Sequence, residues 1–84
     1  MEFVVYILYA SKYKIHYTGY TSNLIARFKS HNEFGTKGFT RKYRPWIVIH
    51  VEFFNNKKEA LIREKFLKTG QGRLFIKLLP KFNL

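Results

Sequence analysis

The sequence predicts a small α/β protein of the α+β kind, a three-stranded, mainly antiparallel sheet flanked by helices in the order β-β-α-β-α-α. Three observations predict it. The run Phe3–Tyr9 is almost wholly apolar and β-prone, and after a polar interval Ile15–Gly19 returns with the same character. Two later segments carry apolar residues at helical spacing with capping residues at their starts. Nine Phe, six Tyr and one Trp in 84 residues supply the ring area that lets so short a chain bury a core. A sheet with apolar faces closes its core by packing helices against it, here as one domain over residues 1–84.

Taken in order, Phe3 to Tyr9 is a strand covered on both faces, because it offers no polar side to water. Ala10–Lys14 is polar enough for a hairpin loop, and Ile15 to Gly19 forms the short second strand. Thr21 or Ser22 offers the N-cap of a helix reaching about His31. Leu24, Ile25 and Phe28 are its apolar stripe, with Arg27 and His31 together on the flank. From Asn32 to Pro45 two glycines, Gly35 and Gly38, and the basic cluster Lys37, Arg41, Lys42 and Arg44 indicate a loop. Trp46 to Phe54 is the third strand. Asn55 or Asn56 caps a second helix ending about Lys68, where Thr69-Gly70 places glycine at the C-cap. Gln71 to Leu79 is a last short helix, stopped by Pro80.

Sixteen Lys and Arg against five Asp and Glu leave a net charge of +11. A field of one sign attracts polyanions and speeds their capture, so nucleic acid is the expected partner. An anionic membrane would call for a basic amphipathic helix or a lipidation signal. Arg73–Leu84 comes nearest, but it is short and contains Pro80. No run approaches the roughly 20 apolar residues of a membrane span. The strand pattern begins directly after Met1-Glu2, which leaves no room for a signal peptide. Without cysteine there is neither a disulfide framework nor a thiolate metal site. These traits are those of a soluble, cytoplasmic monomer.

Glu64 is the sharpest anomaly. It falls between Ala60 and Leu67 on the apolar stripe of the second long helix, where an unpaired carboxylate costs several kcal/mol. Two readings satisfy it, an ion pair with one of the many cations or a metal ligand facing the sheet. Arg27, alone, is a solvated helix charge; His31, alone, is an edge-of-core histidine; Tyr6 and Tyr17, alone, are strand aromatics.

Together they form a pattern. Val4-Val5-Tyr6, Tyr17-Thr18-Gly19, Arg27 on a helix directly after the glycine and Glu64 on a later helix resemble the GIY-YIG nuclease family. The first motif reads Val-Val-Tyr for Gly-Ile-Tyr and the second Tyr-Thr-Gly for Tyr-Ile-Gly. The resemblance spans about Phe3 to Arg73. It points to the small stand-alone branch, through Lys37-Gly38-Phe39-Thr40-Arg41 and Lys68-Thr69-Gly70-Gln71-Gly72-Arg73. The chain is also similar to the N-terminal nuclease domain of the bacterial excision-repair nuclease.

The resemblance implies a metal-dependent endonuclease acting on nucleic-acid phosphodiesters, DNA first, with structure-selective cleavage and a DNA-repair setting as its corollaries. It implies that Tyr6, Tyr17, Arg27, His31 and Glu64 are catalytic. Arg27 binds the scissile phosphate through its planar fork, His31 contacts phosphate or a proton, and one tyrosine handles the attacking water. Glu64 holds Mg²⁺ or Mn²⁺, a hard ion that completes its shell with waters and substrate phosphate. That ion and Arg27 would favour phenolate at the tyrosine. Lys37, Arg41, Lys42, Arg44, Arg63 and Lys68 would hold flanking backbone. The alternative is a non-catalytic basic nucleic-acid-binding module. Two positions depart from the repair branch: Tyr20 stands where it carries lysine, and Ile76 where it carries asparagine.

A shared site sets a condition on register. Tyr6 and Tyr17 must be paired directly or slipped by an even number, which puts Val4, Leu8, Ile15 and Gly19 on their face. Arg27, His31 and Glu64 must converge there.

Overall fold

β1 (Phe3–Ala10) is the central strand of a three-stranded sheet in the order β2-β1-β3, with β2 at Ile15–Thr21 and β3 at Ile47–Phe54. The structure, a computed structural model, describes residues 2–29, 31–32 and 39–80. Both neighbours run antiparallel to β1. Paired on both edges and covered on both faces, β1 buries every residue from Val4 to Leu8, which is why that stretch of sequence lacks the usual polar alternation. Ser11–Lys14 turns the chain into β2, closed by bonds from the Tyr13 and Lys14 amides to the Ala10 and Ser11 carbonyls at 3.1 and 3.3 Å.

The β1–β2 register pairs Tyr6 with Gly19 and Leu8 with Tyr17, a slip of two from direct Tyr6–Tyr17 pairing. An even slip keeps both tyrosines on one face. That face collects Val4, Tyr6, Leu8, Ala10 and Trp46, with Ile15, Tyr17, Leu24, Phe28, Tyr43 and Val51 packed against them. The opposite face joins Val5 and Ile7 to Ala60, Leu67 and Ile76. Between Ile7 and Leu8 the pairing with β3 shifts, so that Ile7 faces His50 but Leu8 faces Val48. Such a bulge bends the strand locally.

Helix α1 (Leu24–Lys29) covers the tyrosine face through Leu24 and Phe28. Residues 31–32 carry π-helical backbone, and α1 is capped by Asn23, whose Oδ1 accepts from the Ala26 amide at 3.1 Å. Thr21, within β2, turns its hydroxyl to the Asn23 amide instead. A four-residue helix, α2 (Phe39–Lys42), interrupts the stretch expected to be loop. It stops before Arg44, where the following proline disfavours helical backbone.

α3 (Lys57–Leu67) and α4 (Gly70–Lys77) lie on the other face. Asn56 caps α3 by accepting from the Glu59 amide at 2.9 Å and donating to the Glu59 carboxylate at 2.8 Å. Gly70 is not the C-cap of α3. Lys68 fills that role in ordinary right-handed conformation, and Gly70 opens α4 behind its own N-cap, Thr69. The glycine that matters is Gly72, where a Cβ would stand 2.2 Å from the Phe66 carbonyl oxygen and 2.3 Å from Leu67 Cα. Backbone cannot swing aside as a side chain can. Gly72→Ala is therefore predicted to cost about 3 kcal/mol, the upper range for overpacking, by levering α4 off α3. An unchanged urea midpoint would show that the junction yields freely. Among the described residues, no helix is long and apolar enough to cross a membrane.

Candidate active site

The site is built around the Tyr6 hydroxyl. β1 sends the Tyr6 ring into the first core, where the residue is 2% exposed. Directly across on β2 stands Gly19, and a Cβ there would lie 2.5 Å from the Tyr6 oxygen and 2.7 Å from Cζ. The phenol thus occupies the space of the missing side chain. Register gives that space to Tyr6. The Tyr6 oxygen is 2.9 Å from His31 Nε2. Tyr17 completes a cluster of three rings, with centroids 6.4 Å from Tyr6 and 5.0 Å from His31.

His31 lies beyond the end of α1, and its placement depends on neighbours remote in sequence. Arg44 Nε donates to the His31 carbonyl. The next residue, Asn32, uses its side-chain amide as a clamp, accepting from the Trp46 amide at 2.6 Å and donating to the Trp46 carbonyl at 2.9 Å. Trp46 is fully buried and packs edge-on against Tyr17. The segment entering β3 therefore fixes the segment leaving α1. Nothing local in the sequence identified Asn32, Trp46 or this use of Arg44.

Burial pushes the Tyr6 phenol well above its ordinary range, helped by Tyr17 and Glu64; Arg27 acts in the opposite direction but does not prevail. Burial thus outweighs the single exposed guanidinium of Arg27 at this phenol. His31 is shifted down by burial, then by Arg27 and Arg44. The pair is thus a hydrogen bond between two neutral groups. When Tyr6 donates, its oxygen retains lone pairs for a further proton.

A histidine harder to protonate folded than unfolded contributes stability above its unfolded pKa of about 6.5, lost as pH falls through the lower folded value. The wild type is predicted to lose more thermal stability than His31→Gln between pH 7 and 5. Identical pH profiles for the two proteins would remove His31 from this account.

Arg27 is exposed on α1, where Thr21, Asn23 and Ala26 join it around a groove of about 260 Å³. Its charge acts on both Tyr6 and His31. Glu64 reaches Tyr6 electrostatically from α3, the helix that packs against both β1 and β2. Its side chain is 14% exposed and lies 3.4 Å from Lys68 Nζ, one turn on, whose own side chain is 54% exposed. Both sequence readings of Glu64 therefore have a physical basis, an ion pair and a carboxylate near the tyrosines. Among the described residues no cluster of three or more His, Asp or Glu could hold a metal by itself. One carboxylate suits a hard ion that keeps most of its waters and takes substrate oxygens, and does not suit a tightly held zinc.

The predicted backbone-binding residues divide. Arg41 and Lys42 are exposed on α2, the latter with its ammonium 5.3 Å from the Tyr43 ring. Lys68 is exposed beside Glu64. Lys37 lies outside the described residues. Arg44 Nε is engaged by the His31 carbonyl, a contact that supports the site from within. Arg63 is likewise engaged within the fold. Its Nε and terminal nitrogen donate to the two Glu52 oxygens at 2.8 and 3.0 Å, and its plane lies over Phe66 and Phe75. Burial alone would raise the Glu52 pKa, but Arg63 and His50, 2.8 Å away, bring it below the usual carboxylate range. The signal for this network was His50-x-Glu52, two polar residues on one strand face. Tyr20 and Ile76, the two departures from the repair branch, both pack into the α3–α4 core.

Residues 2–75 match the family model described as the GIY-YIG catalytic domain. The chain is similar to UPF0213 protein SH2523 of Staphylococcus haemolyticus, 35% identical over 65 residues that cover 77% of this chain and 79% of that one. It is also similar to UPF0213 protein CPE1444 of Clostridium perfringens, 42% identical over 64 residues, 76% of this chain and 68% of the other. Among solved structures it is similar to the solution NMR structure of UPF0213 protein BH0048 from Bacillus halodurans. That match has 28% identity and a TM-score of 0.56, and covers 90% of this chain and 82% of that chain.

Proposed function

Because the chain belongs to the GIY-YIG catalytic-domain family, a nuclease family, we propose that it is a metal-dependent endonuclease hydrolysing phosphodiester bonds, with DNA as its first substrate. The observation that carries this reading is the convergence on one buried phenol. His31 bonds to it, the Tyr17 ring lies tilted beside it, and the charges of Arg27 and Glu64 both act on it.

In this reading Arg27 receives the scissile phosphate in two charge-assisted hydrogen bonds that strengthen as negative charge grows in the transition state. The attacking water gives its proton to the Tyr6 oxygen while the Tyr6 proton passes to His31 Nε2. The resulting imidazolium is disfavoured beside Arg27 and Arg44 alone, and the bound phosphate offsets that repulsion. Tyr17 confines the water on the exposed side. Glu64 would hold Mg²⁺ or Mn²⁺, which when bound supplies Lewis-acid stabilisation of the phosphate and leaving oxygen. Arg41, Lys42 and Lys68 hold flanking backbone. A cytoplasmic repair role for a monomer, selecting nicked, flapped or branched DNA by shape, belongs with this reading.

One observation favours the non-catalytic alternative, since Lys68 already partners Glu64. With its lysine end mostly in water the pair is worth about 0–1 kcal/mol, which leaves the carboxylate available to a divalent ion. A panel of linear, nicked, flap and branched DNA with Mg²⁺, Mn²⁺ or EDTA decides between the readings. Metal-dependent cleavage of at least one substrate is expected, whereas binding without cleavage under every condition identifies a binding module. Arg27→Ala is predicted to slow cleavage by about 10²–10³, as removal of an oxyanion donor does, with a smaller loss of affinity. A twofold effect would place Arg27 outside the reacting centre.

A further inference from the structure

A second basic feature lies on the reverse of the sheet from Tyr6 and Tyr17. Tyr9 and His16 are paired across β1 and β2, and their side chains leave the face opposite the tyrosine pair. With Lys14, Arg73 and Lys77 they line a cleft of about 300 Å³. No carboxylate is among its described lining residues. Two further facts set it apart from scattered surface charge. Arg73 and Lys77 are one turn apart on α4, a spacing at which like charges repel, and the dipole at the helix C-terminus offsets this chiefly for Lys77. Lys14 sits at φ 55°, the left-handed region where glycine or asparagine fits without strain. The turn thus holds a lysine where a neutral residue would be more comfortable, and does so over a cleft already lined with cations.

We propose that this cleft binds a backbone phosphate of the nucleic-acid substrate, a second anchor that grips the flank of the strand away from the scissile bond. The proposal rests on the nuclease reading and deepens it. Tyr9 lies three residues beyond Tyr6, about 10 Å along β1. A strand touching both faces therefore passes round the Ser11–Lys14 hairpin end. Lys14, Arg73 and Lys77 supply the charge, and Tyr9 and His16 shape the cleft wall between them.

The test compares the full chain with Lys14→Gly/Arg73→Gln/Lys77→Gln, following the salt dependence of duplex DNA affinity. The variant should bind more weakly, with a slope of log K against log salt shallower by about 0.9 for each lost contact. Lys14→Gly alone should weaken binding while keeping or raising the thermal midpoint, a combination that general damage to the fold does not produce. Arg41→Ala/Lys42→Ala on α2 is the control. A shallower slope in the control with a wild-type slope in the cleft variant overturns the cleft and leaves the nuclease reading standing. A flat salt dependence in the wild type overturns both. In parallel, ¹⁵N-labelled protein is titrated with inorganic pyrophosphate, and amide shifts are expected at Lys14, His16, Arg73 and Lys77. Such shifts without any effect of the cleft variant on DNA binding would make the cleft a site for free phosphate compounds and overturn the backbone anchor.

Discussion

Glu64→Gln is expected to reduce cleavage to background while leaving the fold and nucleic-acid binding in place. The side chain is nearly enclosed and its ion-pair partner Lys68 is mostly in water, so the amide loses little stabilising energy. Volume and hydrogen-bonding capacity are retained, and the thermal midpoint should stay within a degree or two or rise slightly. What is lost is the negative charge, the one feature a hard divalent ion requires of a single-carboxylate site. Cleavage in Mg²⁺ and in Mn²⁺, measured beside DNA affinity, separates the two functions. A variant that cuts at the wild-type rate takes Glu64 out of the site. One that loses DNA binding in step with cleavage makes its role structural.

Gly19→Ala should be nearly as damaging, for a steric reason. The added methyl would meet the Tyr6 oxygen at 2.5 Å and Tyr17 Cε2 at 3.2 Å. Tyr6 is only 2% exposed and has little room to rotate, and moving it breaks the bond to His31. Overpacking of about 1–3 kcal/mol and the lost hydrogen bond of about 0.5–1.5 kcal/mol act together. The variant should unfold earlier and cleave at a small fraction of the wild-type rate. The double variant Gly19→Ala/Tyr6→Phe removes the atom nearest the new methyl and should recover part of the stability without recovering cleavage. The two changes should therefore be non-additive, as contacting residues are. Strict additivity of their unfolding free energies would falsify the contact.

Much of the frame was legible because its signals are short-range. The apolar run of β1, the polar turn after it, the Asn56 cap and the spacing that sets Glu64 between Ala60 and Leu67 depend on residues within a turn or two of one another. Glu64 is half-buried on that stripe, as the periodicity demands. Short-range signals also misled. Thr21 and Asn23 both cap well, and only the end of β2 decides which one starts α1. The glycine after α3 resembled a C-cap, but Thr69 is a sufficient N-cap to begin another helix at once.

By itself, then, the sequence determined the element order apart from the short α2, the burial of β1 on both faces, the basic field and the set of polar residues available for chemistry. Register, and everything that follows from it, was decided only in three dimensions. A slip of one residue would have left every local pattern intact and sent Tyr17 to the other face. The same holds for Arg44 and Arg63, alike in sequence as exposed-looking cations. One was drawn to the His31 carbonyl and the other to Glu52, because folding brought an acceptor within reach of each. The surroundings of Tyr6 were decided in the same way. Cation proximity argued for phenolate, but the depth of burial that opposes it is a sum over neighbours from separate strands and helices, and no single stretch of chain contains that sum.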